Sequence, residues 1–177
     1  NEDYLVVALL DSEGNPISNA QMSVELNEET VNYTTNETGQ IEVPTKGLLP
    51  NTYIVTLSYA GNGFYKGSST TAVITINKYA SQITATGITT TYNVNKDILI
   101  TLTDGEGNPL SDFTVSVDLN GVKNYTTDSN GQVKVSTKGL IPKTYTATIS
   151  YAGNDLYNES SATAKVTINK INTKLTA

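Results

Sequence analysis

The stretch Leu140–Asn169 reads LIPKTYTATISYAGNDLYNESSATAKVTIN and contains two runs of alternating residues on either side of a short polar loop. In the first run, Tyr, Ala, Ile and Tyr at positions 145, 147, 149 and 151 alternate with Thr and Ser. In the second, Ala, Ala, Val and Ile at positions 162, 164, 166 and 168 do the same. A period of two indicates strands with one apolar face. The stretch therefore predicts a β-hairpin with one face on a core and one in water.

The same pattern occurs earlier in the chain. Tyr53–Lys78 reads YIVTLSYAGNGFYKGSSTTAVITINK, against YTATISYAGNDLYNESSATAKVTINK at Tyr145–Lys170. Upstream, DSEGNP at 11–16 matches DGEGNP at 104–109. The two matches differ in offset by one residue, which we place in a turn where NEETVN (27–32) has become NGVKN (120–124). A period of about 90 residues is the size of a self-contained domain rather than a solenoid repeat.

Further alternating runs fill the rest of each copy. Copy two has them near 98–102, 115–119 and 133–135, with turn residues between them and no helical period. About seven short strands in roughly 90 residues are typical of an immunoglobulin-like sandwich. We therefore predict an all-β chain of two tandem immunoglobulin-like antiparallel β-sandwich domains.

The domain boundaries follow from one further match. SQITA at Ser81–Ala85 is repeated as TKLTA at Thr173–Ala177. We predict a repeat at 1–78 that lacks its first strand, a repeat at 79–170, and the first strand of a further repeat at 171–177. The alternative, 1–88 and 89–177, makes the SQITA-type segment the last strand of the preceding sandwich. In both cases we expect the chain to be part of a longer tandem array.

Composition excludes several classes of function. The sequence has no His, Cys, Trp or Arg, so all 11 basic residues are lysines. Without thiols or imidazoles, the usual nucleophiles, general bases and zinc ligands are missing, and we predict no enzyme and no catalytic or cofactor-binding residues. A net charge of -6 argues against nucleic acid as a partner. Since no run approaches 18 apolar residues, we expect no membrane insertion within this chain.

A Leu-x-Pro-x-x-Tyr pattern precedes the penultimate strand of both copies, ending at Tyr53 and Tyr145. A tyrosine at this place suits a tyrosine corner, in which the hydroxyl donates to upstream backbone. An ordinary core tyrosine is the alternative.

At these residues the chain resembles a known family. The order GNPLSDFTVSVDLNG (107–121), then TTDSNGQVKVSTKGLIPKTYTATISYAGNDLYNESSATAKVTI (126–168), resembles the bacterial Ig-like repeat domains of cell-surface adhesins. It looks most like the repeats in adhesin-like proteins of methanogenic archaea. The resemblance implies an extracellular, cell-surface protein in which these domains form a stalk beside neighbouring repeats. A loop tip that binds surface polysaccharide or protein is the alternative role.

Several loop residues could carry chemistry. The candidates for calcium ligands are Asp104, Glu106, Asp128 and Asp155, because oxygen ligands from converging loops suit Ca²⁺. Asp and Asn also form turns by bonding their own backbone, which is the commoner role. We therefore predict no bound metal or cofactor. Copy one has Gly63 at the position of Asp155.

Other candidates are side chains open to modification or contact. Asn-x-Ser/Thr occurs at four sites that we expect in or beside loops, Asn32, Asn36, Asn124 and Asn158, which are candidates for glycosylation. Lys96 and Asn169 are the nearest candidates for an isopeptide bond, although copy one has Asp3 in place of the lysine. Tyrosines that flank the AGN loops suit either sugar binding or a plug over the core, at positions 59, 65, 151 and 157.

Overall fold

A computed structural model describes residues 4–177, and the chain divides into two compact units, 1–77 and 78–177. Asp3, the counterpart of Lys96, lies outside the described residues. The fold is all-β, as predicted. Among the described residues, no helix is long and apolar enough to cross a membrane.

The first unit has six strands in the described part of the chain. They are β1 (Tyr4–Ala8), β2 (Gln21–Leu26), β3 (Glu29–Thr34), β4 (Gln40–Pro44), β5 (Asn51–Gly61) and β6 (Lys66–Ile76). β1 and β4 pair as a two-stranded antiparallel sheet. The other four form an antiparallel sheet in the order β3-β2-β5-β6.

The second unit has eight strands. They are β7 (Ser81–Ala85), β8 (Ile88–Thr91), β9 (Asp97–Asp104), β10 (Thr114–Asp118), β11 (Val122–Thr126), β12 (Gln132–Ser136), β13 (Thr144–Tyr151) and β14 (Ser160–Asn169). One sheet has the order β12-β9-β7 and the other the order β11-β10-β13-β14-β8. All neighbours are antiparallel except β8 and β14, which are parallel.

Each unit has its own hydrophobic core, drawn from the inward positions of both of its sheets. In the second unit, Ile98 and Ile100 of β9 are fully buried with Ile149 of β13. In the first, Val24, Val55 and Leu57 occupy the corresponding centre. These are the alternating apolar positions of the sequence, so the sandwich follows from the period-two pattern.

The hairpin between β2 and β3 differs from our expectation. We treated 27–32 as a turn, but only Asn27 and Glu28 connect the strands, and both have positive φ. The remaining residues form β3, an edge strand with little apolar alternation to reveal it. The corresponding turn in the second unit has three residues, 119–121, after a strand that ends at Asp118 rather than Leu119. The one-residue difference between the copies thus lies in a hairpin turn, where two- and three-residue loops are both common.

Side-chain hydrogen bonds fix the ends of the sandwich. The Tyr145 hydroxyl donates to the Ile141 carbonyl at 3.1 Å, and the Tyr53 hydroxyl to the Leu49 carbonyl at 2.9 Å. Buried Thr127 donates to the Leu110 carbonyl at 2.6 Å and accepts from the Phe113 amide at 3.0 Å. Thr35 makes the same pair of contacts in the first unit. These bonds tie neighbouring loops to the strands that follow them.

We expect Tyr145→Phe to lower the free energy of unfolding of the second unit by about 1 kcal/mol, because the Ile141 carbonyl would lose its donor. Tyr151→Phe is a matched control, since its hydroxyl is buried without a hydrogen-bond partner. Removing that hydroxyl should leave stability unchanged or raise it. Chemical denaturation of the three proteins measures both effects. Equal midpoints for wild type and Tyr145→Phe would mean that the corner bond adds nothing.

Candidate functional site

An aromatic cluster lies beside the AGN loop (Ala152–Tyr157) of the second unit. The Phe113 ring packs edge-on against Tyr151 and against Tyr157, with centroids 5.7 Å apart in each case. The Tyr157 ring also lies 5.8 Å from that of Tyr79. Tyr157 is therefore enclosed between two rings and covers the end of the core, the plug role that we weighed against sugar binding.

The AGN loop itself is held by its asparagine. Asn154 Oδ1 accepts bonds from the Leu156 and Tyr157 amides at 2.9 and 2.8 Å. Gly153 has a φ of 77°, and a Cβ there would lie 2.8 Å from the Tyr157 carbonyl oxygen. Asn62 makes the same two contacts in the first unit. The loop is thus a hydrogen-bonded turn in both copies, in which the asparagine Oδ1 already accepts two backbone hydrogen bonds.

Two of the four candidate calcium ligands, Asp104 and Asp128, accept hydrogen bonds within their own turns. Asp104 accepts bonds from the Glu106 and Asn108 amides and from Asn108 Nδ2, at 2.8–2.9 Å. Asp128 accepts from the amides of Asn130 and Gln132. Between residues 4 and 177, no group of three or more acidic side chains is placed to hold a metal ion. Glu106 and Asp155 are exposed. The geometry of these carboxylates supports turn formation.

These turns change the acidity of two carboxyl groups. The Asn108 side-chain amide, with the loop amides, lowers the pKa of Asp104 below its ordinary value of 3.8. The Asn15 side chain and backbone lower the pKa of Asp11 in the same way in the first unit. Burial raises the pKa of Tyr151, with the neighbouring Tyr157 as a smaller cause.

The first unit differs from the second at this end of the sandwich. Ala20 occupies the position of Phe113 and is one of the residues around a cavity of about 460 Å³. The side chains around it are mostly amides and hydroxyls, with one tyrosine, and include Gln21, Ser23, Asn32, Ser58, Tyr59 and Asn62. Phe64 in the nearby AGN loop is 94% exposed. A concave polar surface next to an exposed aromatic ring has the chemistry of a carbohydrate contact.

The remaining candidate side chains lie on the surface. Asn36 and Asn158 lie outside the strands, while Asn32 and Asn124 lie within β3 and β11 rather than in loops, and all four are exposed. Asn36 accepts bonds in its own turn from Thr38 and Gln40. Lys96 and Asn169 are both exposed, so neither has the buried surroundings that an isopeptide bond needs.

Sequence reasoning missed the contribution of the segment before β7. The Tyr79 amide donates to the Leu156 carbonyl, and its carbonyl accepts from the Asn158 amide, at 2.8 and 2.9 Å. Lys78 Nζ donates to the Asn154 carbonyl at 2.6 Å. The only sequence signal was that an aromatic residue stands two positions before SQITA.

Comparison with known proteins finds an adhesin among the curated relatives of the chain. No family model matches the chain. The inverse autotransporter adhesin YeeJ of Escherichia coli (strain K12) is 29% identical over 178 aligned residues, which cover 82% of this chain and 7% of YeeJ. The chain thus corresponds to a small part of that adhesin.

Three of the solved structures that match the chain are described by their identity, coverage and TM-score. Invasin, a bacterial integrin-binding protein, has a TM-score of 0.42 at 16% identity, covering 95% of this chain and 36% of its own. A 1.5-MDa bacterial ice-binding adhesin has a TM-score of 0.42 at 13% identity, covering 89% and 55%. The D0-D1 domain of intimin has a TM-score of 0.39 at 18% identity, covering 93% and 88%.

The acidic turns predict a pH dependence. A carboxyl group whose pKa is lowered by folding stabilises the fold above its unfolded pKa, and this stabilisation is lost as the pH falls through the lower folded pKa. We therefore expect the melting temperature of the double variant Asp11→Asn, Asp104→Asn to fall less than that of wild type between about pH 4 and pH 2. Thermal unfolding followed by circular dichroism over this range measures it. Glu106→Gln, which removes an exposed carboxylate that makes no such turn, is the control. Parallel curves for wild type and the double variant would contradict the prediction.

Proposed function

We propose that the chain is part of an extracellular, adhesin-like surface protein, in which it acts as a stalk or spacer that presents binding domains away from the cell. The observation that carries this proposal is the tandem repetition of one sandwich, in which each copy has its own core. The similarity to an inverse autotransporter adhesin supports it. That relative is bacterial, so the archaeal source suggested by the resemblance gains no support from it.

The pairing of β8 with β14 suits a load-bearing role. The chain enters the second unit through β7 and β8 and leaves it through β14, and β8 runs parallel to β14 over four residue pairs from Ile88↔Val166 to Thr91↔Asn169. A force that pulls the two ends apart slides such strands past each other. Because their hydrogen bonds are then loaded together, the pair resists extension more than a hairpin that opens bond by bond.

The surface and composition suit an exposed environment. The outward positions of β13 carry Thr144, Thr146, Thr148 and Ser150, all exposed. Together with the net charge of -6, this polar surface favours solubility. The absence of cysteine and the single methionine leave few sites for oxidation. We propose no catalytic turnover for this chain, since it has neither His nor Cys.

We propose that the boundary between the repeats lies before β7. The pairing of β7 with β9 and of β8 with β14 supports the division at 78/79 over that at 88/89, because both strands hydrogen-bond to strands that follow them. By the same reasoning 171–177 belong with a further repeat. Neighbouring repeats of the same chain are therefore the proposed partners of each unit.

The stalk proposal predicts a specific mechanical weak point. A Cβ at Gly87 would lie 2.9 Å from the Lys165 carbonyl oxygen, so Gly87→Ala must push β8 away from β14. We expect this variant to unfold the second unit at a lower force in single-molecule pulling, while the first unit is unaffected. Thr89→Ala, at an exposed position of β8, is the matched control and should change the stability by no more than about 0.5 kcal/mol. Equal unfolding forces for wild type and Gly87→Ala would exclude β8–β14 as the load-bearing pair.

A binding role at the loop end is the second candidate, favoured by the polar cavity beside Ala20 and by the exposed ring of Phe64. If this surface binds polysaccharide, wild-type chain should give positive spots on a glycan array. Asn32→Ala, which removes an exposed amide from the wall of the cavity, should weaken them. Phe64→Ala should weaken the same signals. If wild type gives no positive spots even at high concentration, the binding role is excluded and the spacer role remains.

A further inference from the structure

Two of the four Asn-x-Ser/Thr motifs stand at the same place in the two units. Asn32 of β3 lies opposite Ser23 of β2, and Asn124 of β11 lies opposite Ser116 of β10. Both motifs read Asn-Tyr-Thr. Both strands are the outer strands of their sheets, so each motif lies along a sheet edge that no neighbouring strand covers among residues 4–177.

The polar groups of these two motifs are free. Residues two apart in a strand share a face, so Asn32 lies on the same face as Thr34, and Asn124 on the same face as Thr126. All four side chains are exposed. In the part of the chain that the structure describes, none of the four takes part in a side-chain hydrogen bond. The amide and the hydroxyl that define an N-glycosylation acceptor are therefore both available on one accessible face.

The other two motifs are engaged in contacts of the fold. Asn36 Oδ1 accepts bonds from the amide and the hydroxyl of Thr38, at 2.9 and 2.8 Å. In the motif that begins at Asn158, the hydroxyl of Ser160 accepts a bond from the hydroxyl of Ser81 at 2.8 Å. The structure thus separates four motifs that the sequence alone does not distinguish.

The fold does not require the asparagine and the threonine that both edge strands keep. The residue before the asparagine has changed between the copies, from Val31 to Lys123, and both are exposed. The middle residue of the motif is explained by packing, because Tyr33 and Tyr125 lie against their cores. The asparagine and the threonine face water instead, so their presence in both copies points to a use outside the packing of the sandwich.

The outer face beside each asparagine has room for a sugar. The residues paired with it continue as a row of serines across the sheet. The row consists of Ser23, Ser58 and Ser69 in the first unit, and of Ser116, Ser150 and Ser161 in the second. Serine side chains are small and can donate and accept hydrogen bonds, which suits a carbohydrate that lies along them. Ser23 and Ser58 also line the cavity of about 460 Å³ beside Asn32.

We propose that Asn32 and Asn124 carry N-linked glycans that cover the free edges of β3 and β11. The co-reactant is a lipid-diphosphate-linked oligosaccharide, supplied with its transferase by the host cell. In the transfer, the asparagine Nδ2 loses a proton and forms a bond to the anomeric carbon of the sugar. The bond from that carbon to the lipid diphosphate breaks, and the lipid diphosphate leaves with the electron pair.

The two edges have a physical need for such a cover. A free strand edge offers backbone donors and acceptors to another chain. Each of these edges also exposes an apolar side chain, Val31 in β3 at 40% and Val122 in β11 at 67%. A glycan is bulky and solubilising, so it blocks the approach of a second strand. This role accompanies the spacer function, since a glycan on Asn32 would cover the cavity on which the binding role depends.

Peptide mapping of the protein isolated from its own cells tests the sites, with fragment-ion spectra that localise the carbohydrate to one asparagine. We expect glycan on Asn32 and Asn124, and unmodified side chains at Asn36 and Asn158. Unmodified Asn32 and Asn124, or equal modification of all four sites, overturns the proposal. Neither result changes the evidence for the spacer role, which rests on the tandem cores.

Two double variants at the same exposed positions test the covering role. Thr34→Ala, Thr126→Ala removes the hydroxyl that the motif needs, whereas Thr34→Ser, Thr126→Ser keeps it. When both are made in the protein's own cells, the alanine variant should lose the glycan and associate at a several-fold lower concentration in light scattering. The serine variant should behave as wild type. Equal association of the two variants overturns the covering role.

The same two variants made in cells without an oligosaccharyltransferase provide the control for the substitutions themselves. Without glycan on either chain, we expect the alanine and serine variants to associate alike. If the alanine variant associates more strongly here as well, the side chains and not the glycan set the association, and the covering role is again overturned.

Discussion

The hydrogen bonding of one strand segment, β7 followed by β8, closes both sheets of the second unit at once. β7 extends the sheet that contains β9, and β8 extends the sheet that contains β14, so the chain changes sheets between Ala85 and Ile88. This crossing requires the backbone to pass close to β14, and Gly87 allows it because a Cβ there would meet the Lys165 carbonyl oxygen at 2.9 Å. The burial of Val166 and Ile168 in β14 depends on this cover, since their counterparts Ile74 and Ile76 in the first unit are only partly buried.

Polar contacts inside the sandwich set the positions of its loops rather than the strength of its core. Thr127 uses one hydroxyl both to donate to Leu110 and to accept from Phe113, so that a buried oxygen is fully used. The Tyr145 hydroxyl likewise donates to a loop carbonyl, that of Ile141. By contrast the hydroxyls of Tyr59 and Tyr151 are buried without partners among the described residues, which costs stability. Retention of both in two diverged copies points to the ring, and not the hydroxyl, as the useful part of these side chains.

The fold was largely predictable because its strands keep one face apolar, and inward positions such as Val115, Ile149 and Val166 are visible in the alternation of the sequence. β3 and β11 were not predicted, because edge strands with two polar faces lack that signal. The candidate site was harder to predict. The asparagine turns of the AGN loops follow from local residue types, whereas the stacking of Tyr79 on Tyr157 joins residues 78 positions apart. Such contacts depend on which strand covers which edge, and that is a property of the assembled sheets.

The two copies diverge mainly where the sandwich does not need a particular side chain. Strand positions that face the core keep their character, as with Val55 and Ala147 at the centre of matching strands. At the loop end, however, Phe113 is replaced by Ala20 and Leu156 by Phe64, which removes a ring from the core and exposes another. A spacer requires only that each core is closed, and exposing an aromatic ring to water gains nothing for that purpose. The loop end of the first unit, where Phe64 is exposed beside a polar cavity, is therefore the place where the proposed spacer would acquire a binding function.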